Sequence, residues 1–165
     1  MPTASFWHNS EYEHTDGSVI GPGGYGNGII AFGDESTSYP GGKSHFYREN
    51  LFEFVRVTRS NAPVSRFNCA FAFESREQAL LLAGLTNKAC YEVLPANPDA
   101  PIGRHEMGWM DLAGAPGRTP SEVIDAIERY WRGEAAPKTD LNGWERLSSS
   151  GLQVVGRIRP TELHP

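Results

Sequence analysis

A run of glycines near the N-terminus is the first candidate for ligand chemistry in this chain. The segment "VIGPGGYGNG" contains the pattern Gly21-x-Gly23-x-x-Gly26. Such a pattern binds a dinucleotide when a buried strand precedes it, a helix begins on it and an acidic residue follows about twenty residues later. Here the preceding segment is too polar for a buried parallel strand. The following segment has strand-like apolar residues and then residues typical of turns, and it lacks the apolar spacing of a helix. The glycines therefore do not predict the phosphate-binding turn of a parallel α/β domain.

Other familiar catalytic patterns are also missing. "GGKSH" has part of the composition of a phosphate loop, but Thr37 stands where that loop requires a glycine. The five histidines never pair at the i, i+4 spacing of a helical zinc site, so we predict no metal. The two cysteines, Cys69 and Cys90, form neither a metal spacing nor a disulfide framework. No serine lies in a Gly-x-Ser-x-Gly elbow, which leaves a hydrolase triad without support.

Three segments keep residues suited to a binding or catalytic site. The first, "FWHNSEYEHTDGSVIGPGGYG", is a strand with a histidine, then a turn and a glycine-rich loop with an aromatic residue. The second, "SRFNCAFAFESREQALLLA", is a phenylalanine-rich strand followed at once by a capped helix. The third, "GWERLSSSGLQVVGRI", places Glu145 at the edge of a strand before a terminal hairpin.

Together these segments resemble the ADP-ribosyltransferase fold, in its histidine–tyrosine–glutamate branch, which includes diphtheria toxin, the poly-ADP-ribose polymerases and rifampin ADP-ribosyltransferase. "DGSVIGPGGYG" is similar to the "G-x-x-I-x-P-G" stretch of the rifampin enzymes, and "WERLSSSGLQVV" is similar to a common ending of the fold. The layout also resembles a poorly characterised family of small bacterial and phage proteins. The residues that match that family are Arg48, Glu49, Phe52, Glu53, Arg56, Ser65, Arg66 and Phe67.

The resemblance implies an enzyme that consumes NAD as its substrate and transfers ADP-ribose to an unknown acceptor, as toxins and effectors of this fold do. It implies that Glu145 is the catalytic carboxylate. It assigns NAD binding to His8, Asn9, Ser10, Gly23, Tyr25, Arg66, Phe71 and Phe73. Two alternatives stay open: an NAD glycohydrolase that uses water as acceptor, and a catalytically degenerate binding module of the same fold.

The chemistry suits these residue types. Cleavage of the nicotinamide–ribose bond passes through an oxocarbenium-like ribose, as glycoside cleavage does. A carboxylate beside the ribose stabilises that developing charge. Aromatic rings stack on the cationic nicotinamide, and arginine binds a pyrophosphate with two parallel hydrogen bonds. If Glu145 is not the carboxylate, Glu106 and Asp111 are the next candidates.

The sequence also departs from the pattern of the fold. His8 is followed by Asn-Ser instead of Gly-Thr, and phenylalanine occupies strand positions where a tyrosine is usual. Gly143 lies two residues before Glu145, so the Gln/Glu-x-Glu signature of arginine- or asparagine-modifying toxins is absent. Each candidate also has a purely structural interpretation, of which the buried ion pair is the clearest. Arg66 enters an apolar strand and requires a buried carboxylate such as Glu49 or Glu53, or a ligand phosphate.

Composition limits the partners. A net charge of −5 does not favour sequence-independent electrostatic binding to nucleic acid. The longest apolar run, "ALLLAGL", is far too short to span a membrane. The first residues lack the pattern of a secretory signal. We therefore expect a protein that acts in the cytoplasm, its own or that of a target cell.

The elements that must position the site are a mixture of strands and helices, so we predict one α+β domain over residues 1–165. The resemblance implies that its core is an ADP-ribosyltransferase-like split sheet with flanking helices. A glycine-rich loop covers about residues 17–44, interrupted by the strand candidate "GIIAF". In "HFYRENLFEFVRVTR", helical spacing predicts a buried face with Phe46, Leu51, Phe54 and Val55, and a second face with Glu49, Glu53 and Arg56. Further elements are a helix from Ser75 to Gly84 and strands at 5–13, 66–73, 89–94, 144–149 and 151–158, the first with Phe6 and His8 on one face and Trp7 on the other.

The clearest helix lies in "TPSEVIDAIERYWRG". Thr119 caps it and forms a capping box with Glu122, while Pro120 takes the first turn. Its buried apolar stripe consists of Val123, Ile127, Tyr130 and Trp131.

Overall fold

The computed structural model describes residues 5–27, 42–138 and 143–158. It confirms the α+β class: the described residues form a seven-stranded antiparallel sheet, in the order β2-β7-β4-β1-β3-β6-β5, with helices packed on it. The strands are β1 Phe6–Ser10, β2 Val19–Ile20, β3 Ala70–Phe73, β4 Ala89–Pro95, β5 Ile102–Glu106, β6 Trp144–Ser148 and β7 Leu152–Ile158. The helices are α1 Gly42–Val55, α2 Arg76–Thr86, α3 Gly108–Gly114 and α4 Pro120–Trp131.

Two short helical segments adjoin these elements. A π-helical segment, Arg56–Ser60, continues α1, and a 3₁₀ turn, Arg66–Asn68, precedes β3. The strand candidate "GIIAF" and half of the predicted glycine-rich loop lie outside the described residues. The described part of that loop is not all irregular, because it contains β2 and a helical turn at residues 24–27. Within the described ranges, no helix combines the length and the apolar composition that a membrane span needs.

The sheet is joined at its centre by a narrow seam between β1 and β3. These strands share one register pair, Trp7 with Phe73, whereas β1 and β4 pair along five positions. Beyond the shared pair, a side-chain hydrogen bond connects the two strands, because Nδ1 of His8 donates to the carbonyl oxygen of Phe71 over 2.6 Å. The sheet therefore has two halves, β2-β7-β4-β1 and β3-β6-β5, that meet where the candidate histidine lies.

The predicted C-terminal hairpin is wrong. β6 pairs with β3 and β5, while β7 pairs with β4 and β2, so the two strands belong to different halves of the sheet. The serine-rich turn between them is bonded to the segment before β5, because the amide and hydroxyl of Ser149 both donate to the carbonyl of Pro101, over 3.2 and 2.9 Å. Gly151 then reverses the chain with φ +87°, a conformation that glycine adopts without strain.

Helix α1 differs from its predicted amphipathic pattern. Phe54, predicted to be buried, is 57% exposed, whereas Phe52 and Val55 are in the core. Glu49, predicted on the second, charged face, is only 1% exposed. The buried face of α1 thus carries a carboxylate, because a buried cation described below binds it.

The other helix predictions hold better. Thr119 caps α4 through the predicted box with Glu122, with Pro120 in the first turn. Ser75 caps α2 by accepting from the amide of Gln78 over 3.2 Å. However, α2 does not end at Gly84 but continues to Thr86, where Asn87 adopts the left-handed conformation and closes the helix. Helix α3 follows β5, and neither element was predicted from the sequence.

We expect one glycine of the "GPGGYG" stretch to be required by packing. A Cβ on Gly26 would lie 2.1 Å from the carbonyl oxygen of Phe67, whereas a Cβ on Gly24 would meet nothing within 4 Å. Gly26→Ala should therefore lower the free energy of unfolding by about 1–3 kcal/mol, the usual cost of overpacking. Gly24→Ala, the matched control, should stay within about 0.5 kcal/mol of wild type. Urea unfolding followed by circular dichroism measures both, and equal stability of the two variants would contradict the close approach.

Candidate active site

A buried arginine lies at the centre of the candidate site. Arg66 begins the 3₁₀ turn, where the hydroxyl of Ser65 caps the turn by accepting from the amide of Phe67. This turn directs Arg66 into the interior, where only 4% of the residue is exposed. An arginine at such a depth needs charged partners, because the cost of removing a guanidinium from water is several kcal/mol.

Two carboxylates and one phenol surround the guanidinium of Arg66. Its Nε donates to Oε2 of Glu49 over 2.7 Å. Its Nη1 donates to the hydroxyl of Tyr130 over 2.6 Å and to Oε1 of Glu145. The sequence-based prediction of a buried ion pair with Glu49 or Glu53 is confirmed, with Glu49 as the partner. Glu53 instead pairs with Arg56 and accepts from Ser65.

Glu49 is saturated with donors. Besides Arg66, it accepts from Arg48 over 2.9 Å and from the hydroxyl of Tyr25 over 3.0 Å. Burial by itself raises the pKa of this carboxyl, but the adjacent guanidinium groups of Arg66 and Arg48 outweigh it and hold the pKa at about 2. Glu49 is therefore a structural anion, with no oxygen left for a ligand.

Aromatic rings enclose the same guanidinium. The Cζ atom of Arg66 lies 4.8 Å from the ring centroid of Phe71, 5.5 Å from that of Tyr130 and 6.0 Å from that of Tyr25. Tyr25 meets Phe71 edge to face, with 5.1 Å between centroids. The structure thus brings four sequence-predicted residues, Tyr25, Arg66, Phe71 and Glu145, into one cluster.

Glu145 has an asymmetric environment. Its Oε1 accepts from both Arg66 and the hydroxyl of Tyr130. Within the described residues, no hydrogen bond reaches its other oxygen, Oε2. One oxygen is thus fixed by two donors, and the second keeps its capacity to interact. This is an arrangement suited to holding a carboxylate beside a developing positive charge.

The structure does not bring His8 to this cluster. Trp7 pairs with Phe73, and Phe73 pairs with Glu145, so these three side chains share one face of the sheet. His8 follows Trp7 in the strand and therefore points to the other face, where it pairs with Tyr91 of β4. Burial lowers the pKa of His8, and because Nδ1 donates to a carbonyl, its neutral ring presents Nε2 as an acceptor.

The remaining predicted ligand residues lie around the seam. Asn9 donates to the carbonyl of Ala79 over 2.8 Å, and Ser10 is buried, with its hydroxyl 2.8 Å from Nε2 of His14. The amide of Gly23 donates to the carbonyl of Cys69 over 3.0 Å, which fastens the glycine-rich segment beside β3. Phe73 is half-buried between the helices.

The two alternative carboxylates lie elsewhere. Glu106 is buried at the end of β5, where Oε1 accepts from the amide of Gly143 over 2.6 Å. Asp111 lies in the first turn of α3. Neither bonds to Arg66 in the structure. Among the described residues, moreover, no group of three or more His, Cys, Asp and Glu side chains could hold a metal ion.

Tyr130 is the site residue that the sequence analysis did not select. Its position in the apolar stripe of α4 predicted burial but gave no sign that its hydroxyl has charged partners. His105 of β5 stacks on its ring, with 4.6 Å between centroids, and its Nδ1 donates to the carbonyl of Tyr130 over 2.8 Å. Burial lowers the pKa of His105 to about 4 and raises that of Tyr130 well above its ordinary value. The phenol therefore stays protonated, and the imidazole stays neutral at pH 7.

Comparison with protein-family models gives no match, and comparison with curated proteins gives none either. The arguments for function therefore come from the cluster itself.

The stability of the protein should depend on Arg66. Arg66→Ala leaves Glu49 and Glu145 buried without their shared cation, so we expect the free energy of unfolding to fall by about 3–5 kcal/mol. The matched control is Arg59→Ala, which removes a pair with Glu128 whose arginine side chain is 55% exposed. That loss should be below about 1 kcal/mol. Chemical denaturation measures both, and equal losses would contradict the central role of Arg66.

His105 should contribute to acid sensitivity. The unfolded chain binds a proton at the ordinary histidine pKa of 6.5, whereas the folded chain binds it only near about 4. Between these values the unfolded state holds more protons, so stability falls as the pH falls. His105→Gln should flatten this dependence by up to about 1.4 kcal/mol per pH unit between pH 4.5 and 6. Denaturant midpoints across that range test this, and an unchanged slope would show that the histidine titrates normally.

Proposed function

We propose that this protein binds NAD and cleaves its nicotinamide–ribose bond, transferring ADP-ribose to an acceptor. The observation that carries the proposal is the state of Glu145, whose Oε1 is held by Arg66 and Tyr130 while no described residue bonds Oε2. Oxocarbenium-like transition states need such a fixed carboxylate, because an anion that is already oriented has no reorganisation cost as the charge develops.

The surrounding rings support the same chemistry. Phe71 and Tyr25 lie on the side of the sheet that carries Glu145, and aromatic faces of this kind stack on a cationic nicotinamide. Tyr25 covers the cluster through its contacts with Phe71 and Glu49. Because Glu145 is only 4% exposed, we expect Tyr25 to leave Phe71 when NAD enters.

The role proposed for Arg66 differs from the one implied by the resemblance. Its Nε and Nη1 donors are engaged by Glu49, Tyr130 and Glu145, so the guanidinium is already neutralised by carboxylates. These contacts support a role in holding Glu145 rather than in binding the pyrophosphate. Arg48 pairs with Glu49 and has 28% of its side chain exposed, so it is open to solvent beside the cluster.

A second candidate is a module that binds NAD without cleaving it. The observation that favours it is the placement of His8 and Glu145 on opposite faces of the sheet, since catalysis in the resembling fold uses both residues at one NAD molecule. This candidate predicts measurable NAD affinity with no nicotinamide released.

Turnover of the wild-type protein separates these candidates, and Glu145→Gln tests the proposed catalytic carboxylate. The substitution keeps the shape and deletes the charge, so we expect NAD cleavage to fall by at least about a hundredfold. NAD affinity should change by less than about tenfold, because the charge acts mainly in the transition state. Nicotinamide release measures turnover, and isothermal titration measures affinity.

A control variant and the turnover of the wild-type protein determine what the Glu145→Gln result means. Glu106→Gln removes a buried carboxylate outside the cluster and should leave turnover within about threefold of wild type. Wild-type turnover in Glu145→Gln would remove this carboxylate from the mechanism, and absence of turnover in the wild-type protein would favour the binding module. Incubation of the wild-type protein with labelled NAD and a cell lysate labels a macromolecule if the enzyme is a transferase acting on one, but not if it is a glycohydrolase.

A further inference from the structure

We infer that Tyr130 is a positioning residue that orients Glu145, a role that rests on the proposed function. Its hydroxyl accepts from Nη1 of Arg66 over 2.6 Å and donates its single proton to Oε1 of Glu145. A phenol between the cation and the carboxylate thus links the two charged groups. Tyr130 comes from α4, which no predicted site residue occupies.

The ring of Tyr130 is fixed on several sides. The residue is 0% exposed. His105 stacks on the ring at 4.6 Å, while Phe52 and Trp131 meet it edge to face at 5.1 and 4.9 Å. The backbone carbonyl of the same residue accepts from His105 Nδ1 over 2.8 Å. A ring held in this way fixes the position of its hydroxyl oxygen. The carboxylate that accepts from this hydroxyl is therefore held in one orientation.

Two donors on Oε1 of Glu145 determine which oxygen of this carboxylate stays available. Arg66 also bonds to Glu49, so by itself it could shift toward that carboxylate and release Glu145. Tyr130 contributes a second donor that does not contact Glu49 in the structure. With Oε1 occupied by both, Oε2 is the oxygen left for the ribose. Loss of the phenol oxygen should leave the charge of Glu145 in place but its direction poorly defined.

Tyr130→Phe tests this role by removing one oxygen atom. We expect kcat for NAD cleavage to fall by about 10- to 100-fold while KM stays within about threefold, the pattern of an interaction used in the transition state. Combined with Glu145→Gln, the second substitution should cost little more, because both act through one carboxylate. Tyr91→Phe is the matched control: Tyr91 is also buried, but its hydroxyl donates to the carbonyl of Tyr12 over 3.4 Å on the other face of the sheet. Its kcat should equal that of wild type.

A spectroscopic measurement keeps the inference testable without activity. In protein labelled at the tyrosine Cζ carbon, Glu145→Gln should shift the NMR signal of Tyr130 and leave that of Tyr91 in place. No shift at Tyr130 overturns the inference, because the hydrogen bond itself would be absent. A wild-type kcat in Tyr130→Phe, in a wild-type protein that does cleave NAD, overturns the positioning role alone. If the wild-type protein leaves NAD intact, the proposed function fails, and the NMR shift then reports a purely structural bond.

Discussion

The buried charge of Arg66 is the constraint on which much of this structure depends. A guanidinium removed from water is tolerated only where carboxylates neutralise it and its donors find acceptors. Here the partners come from α1, α4 and β6, which supply Glu49, Tyr130 and Glu145. One side chain therefore fixes how two helices pack against one half of the sheet, and it explains why α1 turns a glutamate toward the core while exposing Phe54.

The chemistry proposed for this protein lies in the same cluster. Stability and that proposed chemistry depend on the same contacts, because the hydrogen bonds that neutralise Arg66 also fix Oε1 of Glu145 and leave Oε2 without a described partner. Glu49 shows the contrast: equally buried and bound by three residues, it has no oxygen left to act. Two carboxylates on one arginine thus differ in which of their oxygens are engaged, because their remaining neighbours differ.

The seam between the halves of the sheet gives His8 a different role from the one expected of a histidine in a shared cleft. Its ring bridges β1 and β3 where backbone pairing stops after Trp7 and Phe73. Strand alternation then places it on the face opposite Glu145. A ligand that contacts both residues must pass through or around this seam. This geometric requirement separates the cleaving enzyme from the binding module.

The sequence by itself determined the elements whose signals are local. The cap at Thr119 and the stripe of α4 followed from residues within one or two turns, and the alternation of β1 followed from strand geometry. The need for an anionic partner beside Arg66, either a carboxylate or a ligand phosphate, also followed from the sequence, because an arginine in an apolar segment cannot be buried unpaired. Only the tertiary structure decided which carboxylates meet it, since Glu49 and Glu145 are 17 and 79 residues away from Arg66 in the chain. It also decided that β6 and β7 part into separate halves and that the phenol of Tyr130 joins the cluster. Those outcomes depend on pairing between distant segments, which no local pattern encodes.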